Sequence, residues 1–135
     1  MSRKAVVIGV AVLSAAIAGR AYWPEPAGRD NGVAKSLVVP VFSEPARAGE
    51  TSFNEYCAVC HGAGATGTES GPSLIDAIYR PGLHSDMAFM LAAKTGVRAH
   101  HWGYGSMPPV EGFPIGEIDG IVRYIRELQE ANGIK

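Results

Sequence analysis

At 135 residues the chain has room for one small domain with extensions, and a domain of that size buries only a modest core by itself. Its 12 basic and 13 acidic side chains leave a formal net charge of −1, so nothing in the composition points to a nucleic-acid partner. Only two cysteines are present, which excludes a four-cysteine zinc site.

Residues 1–23 read as a targeting segment. Arg3 and Lys4 precede an uncharged run of 14 residues from Ala5 to Ala18. That is short for a spanning helix of about 20 residues and right for a signal peptide. Two outcomes fit: cleavage at the small-x-small site Ala16-Ile17-Ala18, or retention as a membrane anchor with Tyr22 and Trp23 at the outer interface. Either one exports the domain, to the periplasm or the periplasmic face of the inner membrane. Residues 24–43 form a linker punctuated by Pro24, Pro26, Gly28, Gly32 and Pro40. Within it, the apolar tract Leu37 to Phe42 either lies extended against the domain or helps hold it near a membrane.

The domain spans 44–135. A first helix is expected from about Pro45, with Phe53 and Tyr56 on its buried side. It runs into Cys57-Ala58-Val59-Cys60-His61, the attachment signal of a c-type haem. The spacing has a chemical reason. Two thiols one helical turn apart can each add to a vinyl group of the same porphyrin, and the following imidazole then meets the iron. A thioredoxin-like dithiol is the competing reading, but no buried strand of a βαβ unit precedes Cys57.

After His61 the glycines of 62–68 predict a loop, followed by Gly71-Pro72-Ser73-Leu74 and a short helical turn that ends at Pro81-Gly82. Ser85 or Asp86 caps a helix over Met87–Lys94, closed by Gly96. Residues 102–114 return to loop. In the last helix Ile118, Ile121, Val122, Ile125 and Leu128 share one face, with Glu117 and Asp119 at its positive end and Asn132-Gly133 as its stop. Helices without an alternating strand pattern make the domain all-α.

On these residues the domain resembles the monohaem class I cytochromes c of bacteria. Four features carry the likeness: Cys57 to His61, Gly49 and Phe53 set against Ile121 and Tyr124, Gly71-Pro72-x-Leu74, and Gly105-Ser106-Met107-Pro108-Pro109. The resemblance implies three to four helices wrapped around one covalent haem c, with the first and last helices crossing closely at a glycine. It also implies that the Pro72 carbonyl accepts the Nδ1–H of the iron ligand His61. The tract Val97 to Trp102 resembles bacterial relatives of unassigned pathway.

The second axial ligand has six candidates: Met87, Met90, Met107, His84, His100 and His101. Met87 and Met90 read as core packing on a helix. Met107 lies where no helix buries it and prolines hold it, so it is the expected ligand, with His100 or His101 as runner-up. Adjacent histidines can bind copper or zinc, but sequence neighbours rarely both face one ion. For His100 and His101 the reading is therefore the loop surface or a propionate contact. Arg98 and Trp102 are candidate propionate partners.

Charge is uneven within the domain. Arg47 stands against five carboxylates over 44–76, whereas Arg80, Lys94 and Arg98 stand against Asp86 alone over 77–107. The expected function is single-electron transport between redox proteins, such as a membrane oxidase or reductase or an exported dehydrogenase, and not catalysis. The alternatives are a cytochrome subunit of a larger dehydrogenase or oxidase, and a haem enzyme with a displaceable distal ligand.

Overall fold

The computed structural model describes residues 36–135. The segment expected to target or anchor the chain, 1–23, and the first part of the linker lie outside the described residues. Four helices follow in order: α1 (Glu44–Tyr56), α2 (Ala58–His61), α3 (Asp86–Thr95) and α4 (Ile118–Ala131). Short 3₁₀ turns lie at Ala63–Ala65, Ala77–Tyr79 and Ile115–Glu117. No strand occurs among the described residues, where a single antiparallel bridge pairs Val97 with Met107. None of the described helices is long and apolar enough to cross a membrane.

Helix α1 starts where Ser43 turns extended and its hydroxyl accepts the Ala46 N–H at 3.4 Å, with Glu44 in the first turn complementing the positive helix end. Helix α4 buries Ile118, Ile121, Val122, Tyr124, Ile125, Leu128 and Gln129, the face that its apolar spacing predicts. The two helices cross in direct backbone contact. A Cβ built on Gly49 would lie 1.8 Å from the Gly120 carbonyl oxygen, so glycine is required there. The close approach lets Phe53 and Tyr124 pack ring against ring at 5.3 Å, both essentially excluded from solvent. Each large apolar side chain buried this way contributes about 1.5–3 kcal/mol.

The described end of the segment read as a linker is built into the domain. Phe42 is buried and packs on Tyr124 at 5.1 Å, and Leu37 packs against the same core. The side chain of Asn132 accepts the Val38 N–H at 3.0 Å and donates to the Val38 carbonyl at 2.9 Å. Of the two placements open to the 37–42 tract, it takes the extended one against the domain.

A polar hub under α4 ties down the middle of the chain. Gln129, 1% exposed, donates to the Leu74 carbonyl at 2.9 Å and accepts from Arg126 at 2.7 Å. The Arg126 guanidinium donates to the Tyr79 carbonyl, the His84 carbonyl and Asp86, and its charge lies 4.9 Å from the centre of the Phe89 ring. These bonds fix the 77–86 segment, and with it the start of α3. On α3 the inner side is Phe89, Met90 and Ala93. Met87, read as core from its spacing, is instead 56% exposed, because Phe89, Met90 and Ala93 take the inner side of α3.

Candidate functional site

Cys57, Cys60 and His61 sit on one tight turn. The amides of Cys60 and His61 both bond to the Cys57 carbonyl, at 3.2 and 2.9 Å, so the three side chains share one side of that turn. Burial, with Cys60 close by, pushes the Cys57 thiol up to about 11. It is neutral at physiological pH, unlike the reactive thiolate of a dithiol oxidoreductase. No disulfide joins the pair.

The His61 ring is buried, and its Nδ1 lies 2.9 Å from the Pro72 carbonyl oxygen. A carbonyl only accepts, so Nδ1 carries the proton and the lone pair is left on Nε2. An outer hydrogen bond of this kind fixes both the tautomer and the ring orientation of a metal-binding imidazole.

These residues open on a cleft of about 400 Å³ whose lining includes Cys57, His61 and Pro72 together with Gly96, Val97 and Met107. Phe53, Leu74, Ile118, Ile121 and Ile125 add apolar lining. Met107 is placed by a backbone device. Its N–H and carbonyl exchange 2.9 Å bonds with those of Val97, closing the loop between them. Gly96 makes the turn possible: its φ is +73°, and a Cβ there would lie 2.5 Å from the Met107 carbonyl oxygen. Beyond the prolines, the Val110 amide bonds to the Ala93 carbonyl at 2.9 Å and ties the strap to α3.

The residues considered for the edge of the site divide. Arg98 lines the cleft and is exposed, and its guanidinium has no protein partner among the described residues. Trp102 also lines the cleft, and its indole N–H donates to the Tyr79 hydroxyl at 2.8 Å. His84, His100 and His101 gather at the same rim. The sequence reading missed Gly120, Arg126 and Gln129. A second glycine one turn before Tyr124 marked the first of these, and nothing local marked the other two.

An all-α domain with a paired-thiol turn, a histidine of fixed tautomer and an apolar cleft between them defines a covalent haem-binding protein. The fit rests on the donor set: the Cys57 thiol and the His61 imidazole line a large apolar cavity, and the Cys60 thiol sits one turn from Cys57 on the same face of the motif. The family model of cytochrome c matches residues 46–129, and the chain belongs to that family. No curated protein and no solved structure matches it. The fold is that of class I cytochromes c, the cofactor is one haem c held through Cys57 and Cys60, and the protein is a haem electron carrier. When bound, the haem supplies a one-electron iron couple.

Proposed function

We propose that the protein is a His/Met-ligated single-electron carrier, with His61 and Met107 as the axial ligands. One observation carries the reading: His61, with Nε2 left free, and Met107, pinned by two bonds to Val97, border the same cleft. A metal with both axial positions filled by protein has no open site for substrate, which favours electron exchange over catalysis. A thioether ligand also raises the potential relative to a second imidazole. The test is Met107→Ala. It should keep the covalent haem, abolish the weak ferric band at the red edge that reports iron–sulfur bonding, lower the potential, and allow carbon monoxide or cyanide to bind. Axial-ligand identity spans about 0.8 V across haem proteins, so a redox titration resolves the change. If band and potential are unchanged, Met107 is not the ligand.

Export to the periplasm or its membrane face belongs to the same proposal, supported by Arg3, Lys4 and the uncharged run Ala5 to Ala18. The partners proposed are redox proteins: a membrane oxidase or reductase, or an exported dehydrogenase. Exposed Arg80, Lys94 and Arg98 are suited to orienting such an encounter. The mass of the mature chain distinguishes cleavage at Ala18 from retention of an anchor, and a full-length cytoplasmic product would overturn both.

A further inference from the structure

Electron carriage through His61 and Met107 makes no use of His84, His100 and His101, yet the fold collects all three. A ring nitrogen of each lies within 4.8 Å of the other two. The His100 and His101 rings are 4.0 Å apart, and His101 meets His84 edge-on at 5.5 Å. His84 comes from the segment before α3, and the other two come from the loop that leads to Met107. Tyr79 joins these parts: its ring packs on His84 at 5.0 Å while its hydroxyl accepts the Trp102 N–H. The cluster is therefore braced from behind by two different stretches of chain.

Two hydrogen bonds settle what these rings present. Nδ1 of His84 lies 2.7 Å from the Ile78 carbonyl oxygen, and Nδ1 of His100 lies 2.7 Å from the Arg98 carbonyl oxygen. Both Nδ1 atoms must donate, so in the neutral rings Nε2 is left with a lone pair and no hydrogen. That is the state of a metal-bound imidazole, whose second nitrogen donates to a carbonyl or carboxylate. His84 and His100, whose protons are directed at carbonyls, have no donor to offer each other, and a cation would pair with both lone pairs. Three imidazoles without a free thiolate or carboxylate suit zinc or copper(II), not magnesium or calcium. Zinc–nitrogen bonds of 2.0–2.1 Å put tetrahedral ligands about 3.4 Å apart, so the nitrogens need close by about 1.4 Å at most. His100 and His101 are exposed loop side chains that can make that movement and leave an entry path.

We propose that His84, His100 and His101 form a second metal site, for an imidazole-preferring divalent cation of the zinc class, at the rim of the haem cleft. An ion held there would cross-link the Met107 loop to the segment before α3. The test uses the holoprotein, its covalent haem counted by iron content, dialysed to equilibrium against micromolar zinc in a non-chelating buffer. One zinc per iron is expected, with magnesium failing to compete. His100→Gln and His101→Gln, both at exposed positions, should each weaken zinc binding at least tenfold while keeping the ferric iron–sulfur band. His84→Gln should do the same, and the other two variants stand as the test if it folds poorly. Zinc binding that is absent, or equally tight in the variants, overturns the site. Loss of the iron–sulfur band in His100→Gln or His101→Gln would also overturn it, by making that histidine an iron ligand.

Discussion

Gly49→Ala should be among the most damaging single-methyl additions in this chain, and the structure sets its size. The new Cβ would lie 1.8 Å from the Gly120 carbonyl oxygen, whereas ordinary contact begins at 3.4 Å. Both obstructing parts are helix backbone, so α1 must back away by up to the difference, 1.6 Å. A gap of 0.5–1 Å already forfeits a quarter to a half of the dispersion well, and this one would run along the Phe53–Tyr124 contact. Overpacking typically costs about 1–3 kcal/mol where side chains can yield. With none to yield, a loss of about 4 kcal/mol is expected, close to that of truncating a buried Phe. At about 4–8 °C per kcal/mol for a domain of this size, the melting temperature should fall by roughly 16–32 °C. Gly120→Ala is the internal control. Its Cβ would meet Gly49 at 3.3 Å, needing only a few tenths of an ångström, and the gain of about 0.8–1.0 kcal/mol in helix propensity offsets that. Guanidinium unfolding of both holoproteins, followed by far-ultraviolet circular dichroism, makes the comparison. If Gly49→Ala costs no more than Gly120→Ala, the backbone-contact account of the crossing is wrong.

Cys57→Ala with Cys60→Ala should release the porphyrin into acid–acetone, while the unsubstituted protein retains it; extraction of haem from the latter would refute thioether attachment. Arg126→Ala strips donors from the Tyr79 and His84 carbonyls and should cost about 3 kcal/mol, most of it outside the bond to Asp86, which is 70% exposed. A denaturation midpoint unchanged in Arg126→Ala would remove that hub from the account. Burial, and then the nearby Glu50 carboxylate, pushes the Tyr124 phenol from 10.0 up to about 12. A phenol that keeps its proton more tightly when folded stabilises the fold fully below pH 10, and that contribution is lost as pH rises toward 12. Tyr124→Phe should therefore flatten the fall in stability across this window, and an identical alkaline profile would show that Tyr124 does not contribute to it.

What could be read from the chain alone was whatever nearest neighbours determine. The haem turn is legible because two thiols and an imidazole must lie within one helical turn, so the chemistry is written in five consecutive residues. Helix α4 is legible because burial of one helical face imposes a period on the chain, and Ile118 to Leu128 keep it. Gly49 and Phe53 on one helix and Tyr124 on the other were recognisable through resemblance, although the carbonyl that makes glycine necessary belongs to Gly120.

Tertiary structure decided what depends on segments far apart in the chain. The exchange of backbone bonds between Val97 and Met107 leaves no mark in composition, since main-chain donors and acceptors are the same at every non-proline residue. Arg126 and Gln129 look like surface residues of an amphipathic helix until the Leu74, Tyr79 and His84 carbonyls arrive beneath them. Phe42 belongs to the core because α4 and its cap hold the chain on both sides of it, Asn132 at Val38 and Glu127 at Ser43. His100 and His101 could be judged from the sequence only as a pair. The third imidazole, His84, reaches them because the chain doubles back and Tyr79 braces both sides. Spacing along the backbone reports groups that share a turn, whereas groups brought together by loop closure and burial of a common core become neighbours only once the chain has folded.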